Sequence, residues 1–264
     1  MAFKHITSRD NPIFKHFKKL ADNARERRRE MSTMLDGVHL IEAYLQVFGE
    51  PKTLIIPEGK SSLEATQLLQ QLQDVSTVML PTLMFAELTP VASSTGILAL
   101  VEIPQLPTPP QANFVLMLED IQDPGNMGSM LRTAAAAGVQ VVYLSKGCTD
   151  AWSPKALRGG QGAQFVLPII EQADLQQQLS NFSGKRYAMT MHGQSLYTQD
   201  LSTPSLFVIG NEGAGISQSI VQSVDAEITI PMANTHSLAV ESLNAGAATA
   251  ICLFECQRQR NPLK

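Results

Sequence analysis

Five short apolar runs in the second half of the chain, FVLMLED (114–120), VQVVYLS (139–145), RYAMTMHG (186–193), SLFVIGNE (205–212) and AEITIPM (226–232), each run into Gly, Asp, Asn, Ser or Pro. Runs that stay apolar instead of alternating belong to strands buried on both faces, and helical stretches lie between most of them. This half therefore predicts a parallel α/β sheet covered on both sides. In such sheets ligands bind beyond the carboxyl ends of the strands. That directs attention to three loops: EDIQDPGNMGSM (119–130), GNEGAGIS (210–217) and PMANTHSLAVESLN (231–244).

The first half reads differently. IFKHFKKLADNARERRREM (13–31) has helical spacing, with Ile13, Phe14, Phe17 and Leu20 on one side, and MLDGVHLIEAYLQVF turns helical after Gly37. TLIIPEG, STVMLP and GILALVEI alternate with the helical stretch EATQLLQQLQ, so this half is expected to be a small α/β sandwich. Between the halves, IPQLPTPPQ (103–111) carries four prolines and favours an extended linker over a helix or central strand. The expected division is 1–102, a linker over 103–112, and 113–264. A chain of 264 residues is long enough for each part to bury its own core.

Charge is unevenly spread. Residues 1–30 hold nine Lys or Arg against four acids, a net +5, which leaves −9 on the remainder of a chain whose formal charge is −4. A basic end on an acidic protein is the footprint of a phosphate-bearing partner, although a solvated helix face gives the same count. No run approaches the length of a membrane span, and MAFKHITSRDNPIFKHFKKL lacks the apolar core of a signal peptide, so the expected compartment is the cytoplasm. Three cysteines, Cys148, Cys252 and Cys256, fit reduced thiols. Without a second Cys/His pair at ligand spacing, no metal is expected.

Each loop has a bland reading beside the functional one. In the first, Pro124 and Gly125 build a turn, Asn126 can cap a helix, and Arg132 follows six residues on, rotated well away from Asn126. The second has GxxGxG spacing, which is neither a dinucleotide fingerprint nor a Walker loop; its glycines admit close backbone approach, and Glu212 can receive a hydroxyl or cap the next helix. In the third, Ser242 and Asn244 supply a hydroxyl and an amide ahead of AGAATAICLFE, and each could simply cap that helix.

Taken in order, these loops resemble the SpoU/TrmH RNA 2′-O-ribose methyltransferases of the SPOUT superfamily. The first family motif is seen in D-P-G-Asn126-M-G-S-M-L-Arg132-T-A, the second in I-Gly210-N-Glu212-G-A-G, and the third in I-Pro231-Met232 followed by Ser242-Leu243-Asn244. PKALRGGQGAQFVLPI (154–169) resembles the stretch between the first two motifs. ITSRDNPIFKHFKKLADNARERRR with LDGVHLIEA is similar to the ribosomal-protein-like substrate-binding domain that precedes the catalytic domain in many members.

The resemblance implies S-adenosylmethionine as methyl donor, RNA as substrate with ribosomal RNA favoured over tRNA, a trefoil knot in the C-terminal domain, and a homodimer. It implies catalytic roles for Arg132, Asn126, Glu212, Ser242 and Asn244, and cofactor contacts at Gly210, Ile230, Met232 and Leu243. Lys18, Lys19, Arg27, Arg28 and Arg29 become the expected RNA contacts. The segment before Ser242 is longer than is usual in the family, which bears on the cofactor pocket, and His236 within it could reach substrate. Other readings are a base methyltransferase on the same scaffold, a non-catalytic RNA-binding or ribosome-assembly protein, and, more distantly, a nicotinamide dehydrogenase, which the glycine spacing disfavours.

Overall fold

The computed structural model describes residues 3–59, 61–89, 95–233 and 242–261. It divides into two compact units, one formed by Met1–Gln105 with Asp150–Phe165 and the other by Leu106–Thr149 with Val166–Lys264.

The first unit holds β1 (Phe3–His5), α1 (Pro12–Asp22), α2 (Ala24–Glu30), β2 (Ser32–Asp36), α3 (Val38–Phe48), β3 (Thr53–Pro57), α4 (Leu63–Gln71), β4 (Thr77–Leu80), α5 (Thr82–Ala86) and β5 (Leu98–Glu102). Its sheet runs β1-β4-β3-β5-β2, with β1, β4 and β3 mutually parallel and β5 antiparallel to both β3 and β2. Phe14, Phe17 and Leu20 of α1 join Met34, Ile55, Val78, Leu80, Phe85 and Leu98 in one core.

The single helix expected over 13–31 is two helices. Asn23 has extended backbone, and its side chain accepts from the N–H groups of Arg25 and Glu26, which ends α1 and caps α2 at one residue. An Asn that can satisfy nearby N–H groups competes with helical continuation. The break leaves the last carbonyls of α1 without helical donors. Arg27, only 3% exposed, supplies them: its Nη1 donates to Leu20 O at 2.5 Å and Ala21 O at 2.9 Å, and its Nε donates to Asp150 Oδ2 at 2.6 Å.

That bond belongs to an excursion the expected division has no place for. After β6 (Phe114–Leu118), α6 (Pro124–Ala137) and β7 (Val141–Leu144), residues 150–165, including α7 (Pro154–Gly160), pack within the first unit. Thr33 Oγ1 donates to Trp152 O at 2.7 Å, and the Phe165 ring meets Tyr44 edge-on, 5.5 Å between centroids. A segment inside the second half thus completes the first half's core. The chain first leaves the first unit within the proline-rich stretch, between Gln105 and Leu106, returns at Asp150 and leaves again after Phe165.

The second unit continues with β8 (Ile169–Ile170), α8 (Leu175–Asn181), β9 (Lys185–Ser195), β10 (Ser205–Ile209), α9 (Gln218–Val221), β11 (Ala226–Thr229) and α10 (Ala245–Arg260). Its sheet, β11-β9-β10-β6-β7-β8, is parallel throughout. Every residue of β6 and β10 is buried, as continuous apolar strands require. Val115, Met117, Leu206 and Val208 pack with Leu175, Leu179 and Ile220, while Leu116, Leu118 and Phe207 fill the other face. In β9 the pairing with β11 jumps from Ala188 to Gln194, so 189–193 bulge.

The last turn of α10 is tied to the segment before β10: Leu201 N donates to Gln259 Oε1, Arg260 Nη2 donates to Thr203 O and Asn113 O, and its guanidinium lies 4.6 Å over Phe114. Arg258, with Gln259 adding a second bond, holds the Glu255 carboxyl down at about 2 from an ordinary 4.5. A depressed carboxylate stabilises the fold above its unfolded value, and that stability is lost as pH falls from about 4.5 through about 2. Glu255→Gln should therefore lower the neutral plateau of a thermal-unfolding profile and flatten its acid limb, the two proteins converging as pH falls toward about 2.

Candidate functional site

The second unit reverses its winding direction between β6 and β10, which lie side by side, and the loops that follow them meet beyond their carboxyl ends. This is where an open parallel sheet offers a ligand crevice.

The first loop enters α6 through Asp123, whose side chain accepts from Asn126 N at 2.8 Å, with Pro124 as the first helical residue. The sequence reading gave Asn126 the capping role. Asp123 takes it, because the cap must precede the proline whose missing N–H suits the first helical position. Asn126, one turn in, has its side chain free for other work. Its Nδ2 donates to Glu212 Oε1 at 2.9 Å, and its Oδ1 accepts from Asn244 Nδ2 at 3.1 Å.

One amide thus joins all three loops. Asn244 in turn caps α10, with Oδ1 accepting from Gly246 N at 2.9 Å and Ala247 N at 3.2 Å. The bland and functional readings of Asn244 hold together, since one end of its amide caps and the other reaches Asn126. Helices α6 and α10 pack closely here; a Cβ on Gly246 would lie 2.8 Å from Ser129 Oγ.

The second loop is a tight turn. Asn211 and Gly215 exchange backbone bonds at 3.0 Å, and Asn211 Oδ1 accepts from Gly213 N and Ala214 N. Gly215 has φ +72°, and a Cβ on Gly210 would stand 2.4 Å from the Gly215 carbonyl. Only glycine fits at Gly210 without moving backbone. Glu212 does not cap the next helix; it is exposed and turned toward Asn126.

The remaining expected residues stand apart from this network. Arg132 lies exposed on α6 and, among the described residues, makes no hydrogen bond or ion pair. Ser242 is exposed and makes none with Arg132. Ile230 is half-buried, and Met232 and Leu243 are large apolar side chains left 44% and 38% exposed at either end of the third loop. His236 lies outside the described residues. Thr190 Oγ1, in the β9 bulge near the same edge of the sheet, is buried with no hydrogen-bond partner among the described residues. Exposed apolar side chains, a glycine-only backbone turn and an unpartnered hydroxyl are the kinds of group that line a small-molecule site with both apolar and polar surface.

Sequence reasoning missed Glu119, Asp120, Asp123, Asn211 and Ser217, which build these loops without belonging to the expected set. Their signal was present in the acids that follow β6 and in the Asn and Ser that bracket the glycine turn.

Of the five expected RNA contacts in the first unit, Arg27 is buried in its bonds to Asp150 and α1 and cannot meet a phosphate. A helix of four arginines gives no sign in the sequence of which one turns inward. Lys18 pairs with Asp22 at 2.8 Å, Arg29 pairs with Glu26 at 2.5 Å and Glu30 at 2.8 Å, and Lys19 is exposed.

Burial pushes the Cys252 thiol well up and that of Cys256 up to about 11; Cys148 is raised by burial as well, and all three are free thiols. None is poised as a thiolate nucleophile. Among the described residues no group of three or more His, Cys, Asp or Glu could hold a metal ion, and no helix is long and apolar enough to cross a membrane.

Comparison with known proteins bears on the family and the fold. The sequence model of the SpoU rRNA Methylase family covers residues 113–254. The chain belongs to that family. An uncharacterized tRNA/rRNA methyltransferase of Synechocystis sp. is 31% identical over 97% of this chain and 94% of its own length. The 23S rRNA (guanosine(2553)-2'-O)-methyltransferase RlmP of Bacillus subtilis is 30% identical over 95% of this chain and 98% of its own. Among solved structures, the SpoU methyltransferase AviRb from Streptomyces viridochromogenes, in complex with AdoMet, superposes with a TM-score of 0.83 at 26% identity, covering 96% of this chain and all of that one. An AdoMet-bound rRNA methyltransferase from Sinorhizobium meliloti gives 0.81 at 26% identity, with 99% of each chain covered. The likeness spans both units, beyond the segment that the family model matches.

Proposed function

We propose that this chain transfers the methyl group of S-adenosylmethionine to a ribose 2′-hydroxyl of ribosomal RNA, of the 23S type, in the cytoplasm. The observation that carries the reading is the joining of all three motif loops through Asn126 at the carboxyl edge of the sheet, in a chain of the SpoU family. When bound, the cofactor supplies a methyl group made electrophilic by a sulfonium.

The residues at that edge suit such a ligand. Backbone at Gly210 and Ile230 would hold it, with Met232 and Leu243 covering its apolar parts and the Thr190 hydroxyl gaining a partner. Arg132 clamps the phosphate beside the target ribose, so that the 2′-hydroxyl is held in line and a phosphate oxygen can take its proton. A guanidinium is a poor proton acceptor but a good bidentate phosphate ligand, which favours the clamp over a general-base role. Asn126 and Asn244 fix α6 and α10 relative to the Glu212 loop, and Ser242 orients Arg132 or the phosphate. Positioning of this kind supplies a large share of the acceleration for an already reactive methyl group.

In the first unit, Lys18, Lys19, Arg28 and Arg29 would meet RNA. Lys18 and Asp22 form an exposed pair worth little in water, and the Arg29 guanidinium is itself largely exposed, so phosphates can compete for both cations. A homodimer and a trefoil knot accord with family membership. Phe254, 43% exposed on α10, is available to a second copy, and the segment before α10 includes 234–241, outside the described residues.

The deciding experiment is transfer of labelled methyl from S-adenosylmethionine to unmodified ribosomal RNA and tRNA transcripts, followed by alkaline hydrolysis. Label in an alkali-resistant dinucleotide of ribosomal RNA is expected. Label in mononucleotides would mean base methylation, and label on tRNA alone would overturn the substrate class. Gly210→Ala, whose Cβ must displace the Gly215 backbone, should weaken S-adenosylhomocysteine binding by about tenfold or more in calorimetric titration, the loss expected when one or two hydrogen bonds of a binding loop are displaced.

A further inference from the structure

Two acids that none of the family motifs claims stand at the carboxyl end of β6, and they reach in opposite directions. Glu119 turns toward the β10 side, where its Oε2 accepts from Ser217 N at 2.8 Å and its Oε1 from the Ser217 hydroxyl at 2.6 Å. Asp120, with φ +54°, turns toward the β7 side: its N–H donates to Ser145 Oγ at 2.9 Å and its Oδ1 accepts from the same hydroxyl at 2.6 Å. The Asp120 carbonyl also accepts from Asn211 Nδ2 at 2.8 Å.

The 210–217 loop is therefore held at both ends by the residues that follow β6, by Asp120 near its start and by Glu119 at its finish. Glu212 projects from the middle of the span toward Asn126. The closing bonds between Asn211 and Gly215 give the loop its shape but not its location, because both partners move with it. Of the two anchors, only Glu119 brings a charged acceptor, and both its oxygens are engaged by one residue, which makes this the stronger grip.

We infer that Glu119 is a positioning residue for the methyl transfer: by gripping Ser217 through two bonds it sets where the 210–217 loop stands, and so where Gly210 meets the cofactor and Glu212 meets Asn126. The inference rests on the proposed activity. With both oxygens held by Ser217, Glu119 acts through the loop and not on substrate. Without it the far end of the loop is held only through its continuation into α9, and the ligand must order the loop on binding at an entropic cost.

The test compares Glu119→Ala, Glu119→Gln, Ser217→Ala and the Glu119→Ala/Ser217→Ala pair in the full chain. Glu119→Ala should raise KM for S-adenosylmethionine about tenfold while kcat changes less than about threefold, the loss expected when charge-assisted bonds to a binding loop are removed. Glu119→Gln, which keeps one acceptor oxygen, should recover part of that loss. Ser217→Ala keeps its N–H and should cost less than Glu119→Ala. The double variant should be no worse than Glu119→Ala, as expected of groups that act only on each other.

Amide hydrogen exchange at 211–217 should quicken in Glu119→Ala with Trp152 fluorescence unchanged, a readout independent of methyl transfer. An unchanged KM in Glu119→Ala, or losses that multiply in the double variant, overturns the inference. If exchange quickens but the unaltered chain neither binds S-adenosylhomocysteine nor transfers label, the anchoring stands and the methyltransferase reading falls.

Discussion

Arg27→Ala should destabilise the first unit by about 3–5 kcal/mol, the cost of removing one partner from a buried ion pair. Arg27 and Asp150 are 3% and 6% exposed. The guanidinium is held by Asp150 and by the carbonyls of Leu20 and Ala21. Truncation leaves the Asp150 carboxylate buried with the Trp152 N–H as its remaining hydrogen bond among the described residues, and returns two helix-end carbonyls to an unpaired state. Trp152, the only tryptophan, is 6% exposed two residues from Asp150, so its fluorescence reports this unit as urea is raised. Lys19→Ala, on the exposed face of α1, should shift the same midpoint by no more than about 0.5 kcal/mol. Pairing Arg27→Met with Asp150→Leu should recover a good part of the loss, because apolar replacements leave no buried charge behind. An unchanged urea midpoint in Arg27→Ala would show that the pair contributes nothing to the fold.

The second large effect is on turnover. Arg132→Ala should lower kcat by at least about a hundredfold, the usual cost of deleting one charge-positioning group from a reacting centre. Binding of S-adenosylhomocysteine should stay within a few-fold, because the side chain lies on the exposed face of α6 with no bond to the Glu212–Asn126–Asn244 network. For the same reason stability should change little. Arg132→Lys separates the clamp from simple charge: an ammonium keeps the attraction but loses the two-pronged grip on phosphate, so it should restore only a minor part of the rate. Single-turnover methyl transfer with saturating cofactor measures this directly. Near-normal turnover in Arg132→Ala would remove Arg132 from the centre of the mechanism and leave Glu212 as the residue to test next.

The second unit was legible because its strands are continuous apolar runs, a pattern that few other arrangements satisfy, and because the loops that matter follow those strands. Asn126, Glu212 and Asn244, more than 80 residues apart between the first loop and the second, were named together from motif order, and they meet through one amide. The bonds within each loop were harder to read. Asp123 and Asn126 are both good helix caps, and only the backbone at Pro124 decides between them. Glu119 and Asp120 look like strand-ending polar residues until the sheet order sets Ser217 on one side of them and Ser145 on the other.

What the sequence by itself determined is whatever depends on local period and local chemistry: a parallel sheet in the second half, the main apolar strands and helices, the proline-rich stretch and the three loops at the sheet's carboxyl edge. Tertiary structure alone decided which groups face each other across long separations. It turned Arg27 inward while Arg29 stayed on the surface, although both lie in one basic run, because only Arg27 meets the open carbonyls of α1 and a carboxylate 123 residues away. It also carried residues 150–165 into the first unit, where the rings of Phe165 and Tyr44 meet. Hydrophobic period says that a side chain will be buried and charge says that it will need a partner; which partner depends on how the packed elements bring distant residues together.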